Sequence, residues 1–99
     1  MLPKHYSKLT ATQYKGLVAD QGCYICGQPA EIHHSTNHRK AYGTKSSDFD
    51  IIPLCPNHHR GQDGIHHIGV KRWEAIYGDQ NKIVEKVRER VKEELKNYI

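Results

Sequence analysis

Two short stretches, CYIC at residues 23–26 and CPNH at residues 55–58, decide how this chain folds. Each holds two sulfur or nitrogen donors separated by two residues, so that one tight turn can present both donors to a single ion. Gly22 and Gly27 relieve backbone crowding at the first turn, and Pro56 preorganises the second. The spacing predicts a closed, structural Zn²⁺ site of the Cys3His type. Its ligands are Cys23, Cys26, Cys55 and His58.

A metal site also explains how so short and polar a chain can fold. The 99 residues suffice for one domain, residues 1–99, and only 36% of them are apolar. Three cysteines cannot all pair as disulfides. Two alternatives stay open, a redox pair formed by Cys23 and Cys26 and a set of buried, unligated thiols. The redox pair lacks the βαβ pattern that usually surrounds it.

Charge and hydropathy restrict the class of protein only loosely. The chain carries 15 basic and 11 acidic residues, a formal charge of +4 that suits a polyanionic partner but also an ordinary protein surface. The N-terminal stretch MLPKHYSKLT has no apolar segment, and no apolar run approaches the length of a membrane span. We therefore expect a cytoplasmic protein without membrane contact.

Periodicity predicts a mixture of short helices and one clear strand. Helices are expected at about residues 11–19, with Thr10 or Thr12 as the cap, at 70–77, and at 80–97. Residues 49–54 form the best strand, and residues 57–64 a short helix or turn. Trp73 and Tyr77 are expected in the core. The last helix has one apolar stripe, formed by Ile83, Val84, Val87, Val91 and Leu95.

Histidines remain after the zinc site is filled. His33, His34 and His59 have no place in a closed Cys3His shell. A hydrolytic metal centre does need such residues, because it combines fixed ligands, open positions for a phosphate oxygen and water, and a separate general base.

At this point the chain resembles a known family. The succession C-x-x-C, HH, SD and PLCPNHHR is similar to the HNH endonucleases that carry a pair of zinc knuckles, and in particular to the Ref-type phage recombination nucleases and related small prophage nucleases. The resemblance covers about residues 21–78. It implies an α+β fold, a small zinc-stapled ββα-metal (HNH, His-Me finger) domain with flanking helices, followed by the C-terminal amphipathic helix.

The resemblance also implies roles for individual residues. His33 matches the first ligand of the catalytic metal, His34 the general base and His59 the closing metal ligand. Asp48 stands where the family has a central Asn, so that its carboxylate either ligates the metal or orients a neighbour. In the zinc site, His58 replaces a cysteine, and imidazole is an ordinary zinc ligand.

Two further metal ligands are suggested by the segment after the motif. Asp63 follows His59 by four residues, which is one helical turn. The stretch DGIHHIGVKRWEAIYG is similar to the family segment in which a histidine precedes a Trp/Phe-Glu helix. His67, or as the weaker match His66, takes that position.

The function that the resemblance implies is metal-dependent hydrolysis of phosphodiester bonds in DNA, with Mg²⁺, Mn²⁺ or Zn²⁺ as the catalytic ion. The DNA is either single-stranded or duplex, and a recombinase filament is a further expected partner. We expect a monomer or dimer in a bacterial or phage-infected cell. A non-catalytic zinc-knuckle module that binds nucleic acid is the main alternative, and a metal-dependent hydrolase of another class is the third. Backbone phosphate contacts are expected from Arg39, Lys40, Lys45 and Arg60.

Overall fold

The computed structural model describes residues 9–36 and 48–96. These residues form a small α+β structure with one two-stranded sheet and five helices. The elements, in chain order, are α1 (Ala11–Asp20), β1 (Glu31–His34), β2 (Ile51–Leu54), α2 (Pro56–Arg60), α3 (Ile65–Ile68), α4 (Val70–Tyr77) and α5 (Gln80–Lys96).

The sheet pairs the strand that carries two histidines with a fully buried strand. β1 and β2 run antiparallel, with His33 opposite Ile52 and Ile32 opposite Pro53. Proline is tolerated in β2 because each strand of a two-stranded sheet has a free edge. The carbonyl of Pro53 accepts a hydrogen bond of 2.8 Å from the backbone of Tyr24, which ties the first cysteine turn to the sheet. The predicted strand at 49–54 is confirmed from Ile51 onward.

Helix α1 begins at the first of its two candidate caps. The Thr10 side chain accepts a hydrogen bond from the backbone N–H of Gln13, and the Gln13 side chain accepts one from the backbone N–H of Thr10. This reciprocal pair is a capping box, and it satisfies two of the N–H groups that a helix start leaves unpaired. The helix buries Tyr14 and Val18. The Tyr14 ring lies 5.2 Å from that of Phe49, just before β2.

Helix α5 supplies much of the core, as its apolar stripe predicts. All five predicted stripe residues are buried, and the helix packs on β2 and α1. The Asp79 carboxylate accepts a hydrogen bond of 3.2 Å from the backbone of Lys82, which confirms a cap immediately before the helix. Arg88 donates to the carbonyl of Phe49 and pairs with the Asp50 carboxylate, so the segment that enters β2 is fixed to α5. None of the described helices is long and apolar enough to cross a membrane.

Helix α3 is not among the elements that the sequence predicts. Four residues long, it follows α2 through a turn at Gly64, where a Cβ would lie 2.5 Å from the backbone nitrogen of Arg60. Only glycine fits so close an approach, and the resulting turn packs α3 against α2. Helix α4 is confirmed at residues 70–77, with Trp73 fully buried and its ring 5.1 Å from that of Tyr77.

Candidate metal centres

The first centre is the Cys3His cluster that the donor spacing predicts. Cys23 and Cys26 lie in the turn after α1, Cys55 is the N-cap of α2, and His58 lies within that helix. All four donor atoms lie within 4.8 Å of one another. Because β2 leads directly into α2 while Tyr24 is bonded to Pro53, the sheet itself brings the two donor pairs together.

The distances within this cluster fit a tetrahedral ion. Zinc at its usual bond lengths separates two sulfur ligands by about 3.8 Å and a sulfur from a nitrogen ligand by about 3.5 Å. The Sγ atoms of Cys26 and Cys55 are 3.7 Å apart. Nδ1 of His58 lies 3.2 Å from Sγ of Cys55 and 3.8 Å from Sγ of Cys23. The cluster can therefore hold a structural metal ion with all four ligands already in place.

The protein also favours the thiolate form at one of the cysteines. Burial raises the pKa of Cys23, but hydrogen bonds from the backbone at Cys55, Cys26 and Ile25 together lower it below the usual value. The backbone at Gln28 lowers the pKa of Cys26, yet desolvation and the two neighbouring cysteines raise it further, to a net increase. A cation in the cluster would favour the thiolate form of every cysteine, because it attracts all the thiolates at once.

The second centre is a group of three histidines on three different elements. His33 lies on β1, His59 on α2 and His66 on α3, and one ring nitrogen of each lies within 4.8 Å of the others. Nε2 of His59 and Nε2 of His66 are 3.1 Å apart, close to the separation of two imidazole ligands on one ion. His33 is 2% exposed, whereas His66 lies at the surface, so the group opens to solvent on one side.

Two of these histidines have a protein acceptor on one ring nitrogen. Nε2 of His33 lies 2.9 Å from Oε1 of the buried Gln80, and Nδ1 of His59 lies 2.6 Å from Oε2 of Glu31. Metal-bound histidines usually donate their other N–H to a carboxylate or amide oxygen in this way. Two of the three histidines therefore have the outer partners that are typical of metal ligands.

Electrostatics keep two of the three rings neutral. Burial lowers the pKa of His33 to about 4, against a smaller opposing effect of the hydrogen bond with Gln80. Burial, and then the neighbouring His59, also lower the pKa of His66. A neutral imidazole is the form that binds a metal, so protons compete weakly at these two ligands near neutral pH.

His34 lies apart from this group, with a carboxylate of its own. It is the last residue of β1 and exposed, whereas the preceding His33 points inward, as alternation along a strand requires. Its Nε2 lies 2.8 Å from Oδ1 of Asp48, which also pairs with Nζ of Lys15 at 3.2 Å. The hydrogen bonds from His34 and then Lys15 lower the pKa of Asp48. Asp48 is thus the partner of His34 and does not belong to the three-histidine group.

Two predicted ligands of the second metal lie elsewhere. Asp63 accepts a hydrogen bond of 2.9 Å from the side chain of Asn57 and is absent from the group. His67 is also absent from it, and His66 takes the position instead. Neighbouring residues of a helical turn point about 100° apart, so only one of this pair can face α2. His66 therefore replaces His67 in the candidate ligand set.

The predicted phosphate contacts are placed only in part. Arg39, Lys40 and Lys45 lie outside the described residues. Arg60 is exposed, and its guanidinium pairs with Glu31 at 2.9 Å. Hydrogen bonds from Arg60 and then His59 lower the pKa of Glu31. Arg60 thus shares the carboxylate that holds His59.

Sequence reasoning missed Glu31, Gln80 and Lys15. Glu31 carries a usable signal, because it stands two residues before His33 and so shares that face of the strand. Gln80 carries none, since it reaches His33 across 47 residues of sequence. Lys15 likewise meets Asp48 only through the packing of α1 beside the strands.

The fold and site define a small α+β domain with two clusters of metal-binding side chains. The chain belongs to the family described as "Protein of unknown function (DUF968)", which matches residues 1–93. It is similar to the Escherichia coli (strain K12) protein described as "Uncharacterized protein YdfU", with 33% identity over 85 residues. That match covers 84% of this chain and 23% of the relative, so the chain spans less than a quarter of the relative's length. No solved structure matches the chain significantly.

Proposed function

We propose that this chain is a metal-dependent endonuclease of the HNH type that hydrolyses phosphodiester bonds in DNA. The observation that carries the proposal is the pairing of a three-histidine cluster, complete with outer acceptors, with an exposed His34–Asp48 pair at the end of the same strand. The order of β1, β2 and α2 also supports it, since it is the order that the resemblance implies.

The two clusters suit different ions. Three sulfur donors and one imidazole in a closed shell are typical of structural Zn²⁺. Three imidazoles favour a transition metal such as Zn²⁺ or Mn²⁺ over Mg²⁺, which prefers oxygen ligands. Of the three catalytic ions that the sequence suggests, we therefore expect Mg²⁺ to support the least activity.

In the proposed reaction the protein supplies a base, its orientation and an open site. His34 removes a proton from the attacking water, and its hydrogen bond to Asp48 fixes the ring so that Nδ1 is free to accept that proton. His33, His59 and His66 hold the cation, which when bound polarises a phosphate oxygen and stabilises the charge that develops in the transition state. The proposal requires a phosphate at the end of β1 that contacts the bound cation while the attacking water lies next to His34.

DNA is proposed as the substrate on the basis of charge and of the sequence resemblance. The formal charge of +4 suits a polyanion, and the exposed Arg60 lies beside the ligand His59. A phosphate that binds Arg60 would share it with Glu31. A recombinase filament stays a proposed partner that rests on the resemblance alone.

The test is a cleavage assay with plasmid, linear duplex and single-stranded DNA, with Mn²⁺, Zn²⁺ or Mg²⁺ added to protein loaded with one zinc per chain. Replacing His34 by Ala should lower the cleavage rate about 10²–10⁴-fold, the usual contribution of a general base. Asp48→Asn should have a smaller effect, since the amide still accepts a hydrogen bond. His67→Ala is the matched control, because it removes an exposed histidine outside the cluster and should leave the rate unchanged.

Two results would contradict the proposal. Cleavage by His34→Ala at the wild-type rate would remove the assigned base. Binding of DNA without cleavage under every condition, with a single metal per chain, would favour the non-catalytic zinc-knuckle module instead.

A further inference from the structure

We infer that Gln80 and Glu31 fix which nitrogen each histidine offers, so that His33 binds the second metal through Nδ1 and His59 through Nε2. This inference rests on the proposed three-histidine site and goes beyond it. It makes Gln80 and Glu31 positioning residues, because they act on the ligands and not on the ion.

The first step is the orientation of the Gln80 amide. Gln80 is fully buried at the start of α5, and its backbone nitrogen donates to Oε2 of Glu74. Its Oε1 accepts a hydrogen bond of 3.3 Å from the backbone nitrogen of Thr36, and its Nε2 lies 2.9 Å from the Thr36 hydroxyl. A backbone N–H is only a donor, so the atom that faces it has to be the amide oxygen. The side chain therefore has one orientation.

The second step is the tautomer of His33. The same Oε1 atom lies 2.9 Å from Nε2 of His33, and an amide oxygen only accepts hydrogen bonds. Nε2 therefore carries the hydrogen, and Nδ1 of the neutral ring keeps its lone pair.

The third step gives the opposite result at His59. Its Nδ1 lies 2.6 Å from a Glu31 carboxylate oxygen, which fixes the hydrogen on Nδ1 and leaves Nε2 as the donor to a metal. That Nε2 is the atom that meets Nε2 of His66 at 3.1 Å. Glu31 is held in turn by two contacts from Arg60, at 2.9 and 3.3 Å.

The fixed tautomers have a consequence for affinity. A free imidazole exchanges its hydrogen between the two nitrogens, and a site built from such rings has to select one form before it binds a metal. Gln80 and Glu31 select the form in advance. Loss of such outer partners typically lowers metal affinity 10–100-fold.

The experiment measures tautomers and metal affinity separately. Protein that carries one zinc in the Cys3His cluster is labelled with ¹⁵N, and two-bond proton–nitrogen spectra assign the tautomer of each histidine at pH 7.5. Titration with Zn²⁺ and Mn²⁺ against a competing chelator then gives the affinity of the second site. We expect hydrogen on Nε2 of His33 and on Nδ1 of His59, and the same nitrogens to stay protonated after metal is added.

Three variants separate positioning from packing. Gln80→Leu keeps a side chain of similar size but removes the acceptor. It should mix the tautomers of His33 and weaken binding of the second metal 10–100-fold. Gln80→Glu keeps an acceptor and should retain the tautomer and most of the affinity. Gln21→Leu is the control, because Gln21 also bonds to α5, at the carbonyl of Val87, without contacting the histidines. The affinity of Gln21→Leu for the second metal and its spectra should match those of the wild type.

The outcomes distinguish failure of this inference from failure of the proposed nuclease function. Hydrogen on Nδ1 of His33 in the wild type, or ligation through Nε2, overturns the inference, whether or not Gln80→Leu folds. Unchanged tautomer and affinity in a folded Gln80→Leu variant also overturns it. Failure of the wild type to bind a second metal overturns both this inference and the nuclease, whereas metal binding with the expected tautomers but no cleavage overturns only the nuclease.

Discussion

The Cys3His cluster and the three-histidine cluster share the helix α2 but differ in the number of their donors and in their enclosure. His58 and His59 are neighbours on that helix, and each belongs to a different cluster. The first cluster has four donors and backbone N–H groups directed at its sulfurs, at Ile25 and His58. The second has three imidazole donors, outer acceptors on two of them and an open side. One helix therefore couples a closed site to an open one.

We expect the fold to require the closed site but not the open one. Cys55 caps α2 and joins it to β2, so a metal at its sulfur fixes the helix that carries His59. The reverse does not hold, because the ligands of the open site already have protein partners without a metal. Loss of the first metal should thus abolish both sites, and loss of the second should spare the first.

Removal of the structural metal is the largest effect that we predict. Zinc in a Cys-rich site contributes about 10–16 kcal/mol, which is comparable with the whole stability of a small domain at about 5–15 kcal/mol. Cys55→Ser, or a strong chelator, should therefore abolish cooperative unfolding by circular dichroism. The control is His59→Ala, which removes the neighbouring donor in the open cluster. A Cys55→Ser protein that still melts cooperatively at the wild-type temperature would contradict the comparison.

The second prediction concerns the choice between His66 and His67. His66→Ala should weaken binding of the second metal at least about 100-fold, since a direct ligand contributes more to metal affinity than an outer partner. His67→Ala is its neighbour with the same chemistry and should bind both metals as the wild type does. Metal content after dialysis against a limited excess of Zn²⁺ measures this. An equal loss in both variants would refute the assignment of His66.

That contrast shows what the sequence could predict and what it could not. The Cys3His site follows from donors three residues apart, a local relation that a tight turn satisfies in any fold. Helices α4 and α5 follow from periodicity over eight and 17 residues. Helix α3 has four residues, too few to show a period, and its rotation decides which of its two histidines faces α2. The ligand choice therefore depended on packing.

Most partners of the open site and of the His34–Asp48 pair could not be predicted, for a related reason. Gln80 meets His33 because α5 packs on the sheet, and Asp48 meets Lys15 because α1 lies beside the same strands. Each contact joins residues that are distant in sequence, and glutamine or lysine alone does not indicate a function. Only Glu31 could have been found, from its position two residues before His33.

The third prediction is a pH dependence of stability that comes from the open site alone. The pKa of His33 falls from its ordinary value of 6.5 to about 4 on folding. Between these values the unfolded chain binds the proton and the folded protein does not, so the free energy of unfolding falls as the pH falls. The total loss is about 3 kcal/mol, of which about 1.4 kcal/mol appears by pH 5.5.

The measurement is urea unfolding between pH 7.5 and 5.5, with metal only in the Cys3His cluster. His33→Gln has no proton to bind and should lack this part of the slope. The lowered pKa of His66 acts in the same direction within this range, and it remains in the variant. The lowered pKa values of Glu31 and Asp48 act only below their ordinary values of 4.5 and 3.8, outside the range measured. Identical slopes for the variant and the wild type would show that His33 is not buried as described.

The smallest predicted effect tests whether packing supports the closed site. The Tyr77 ring meets the His58 ring edge to face at 5.5 Å, and it also packs on Trp73 at 5.1 Å. Such ring pairs contribute about 0.5–1.5 kcal/mol each. Tyr77→Leu loses both contacts, so urea unfolding alone cannot separate them. Zinc competition can, because only the contact with His58 acts on a ligand. We expect zinc to bind about 3–10-fold more weakly to Tyr77→Leu and equally well to Tyr77→Phe, which keeps the ring. Wild-type zinc affinity in Tyr77→Leu, together with reduced stability, would assign the whole effect to Trp73.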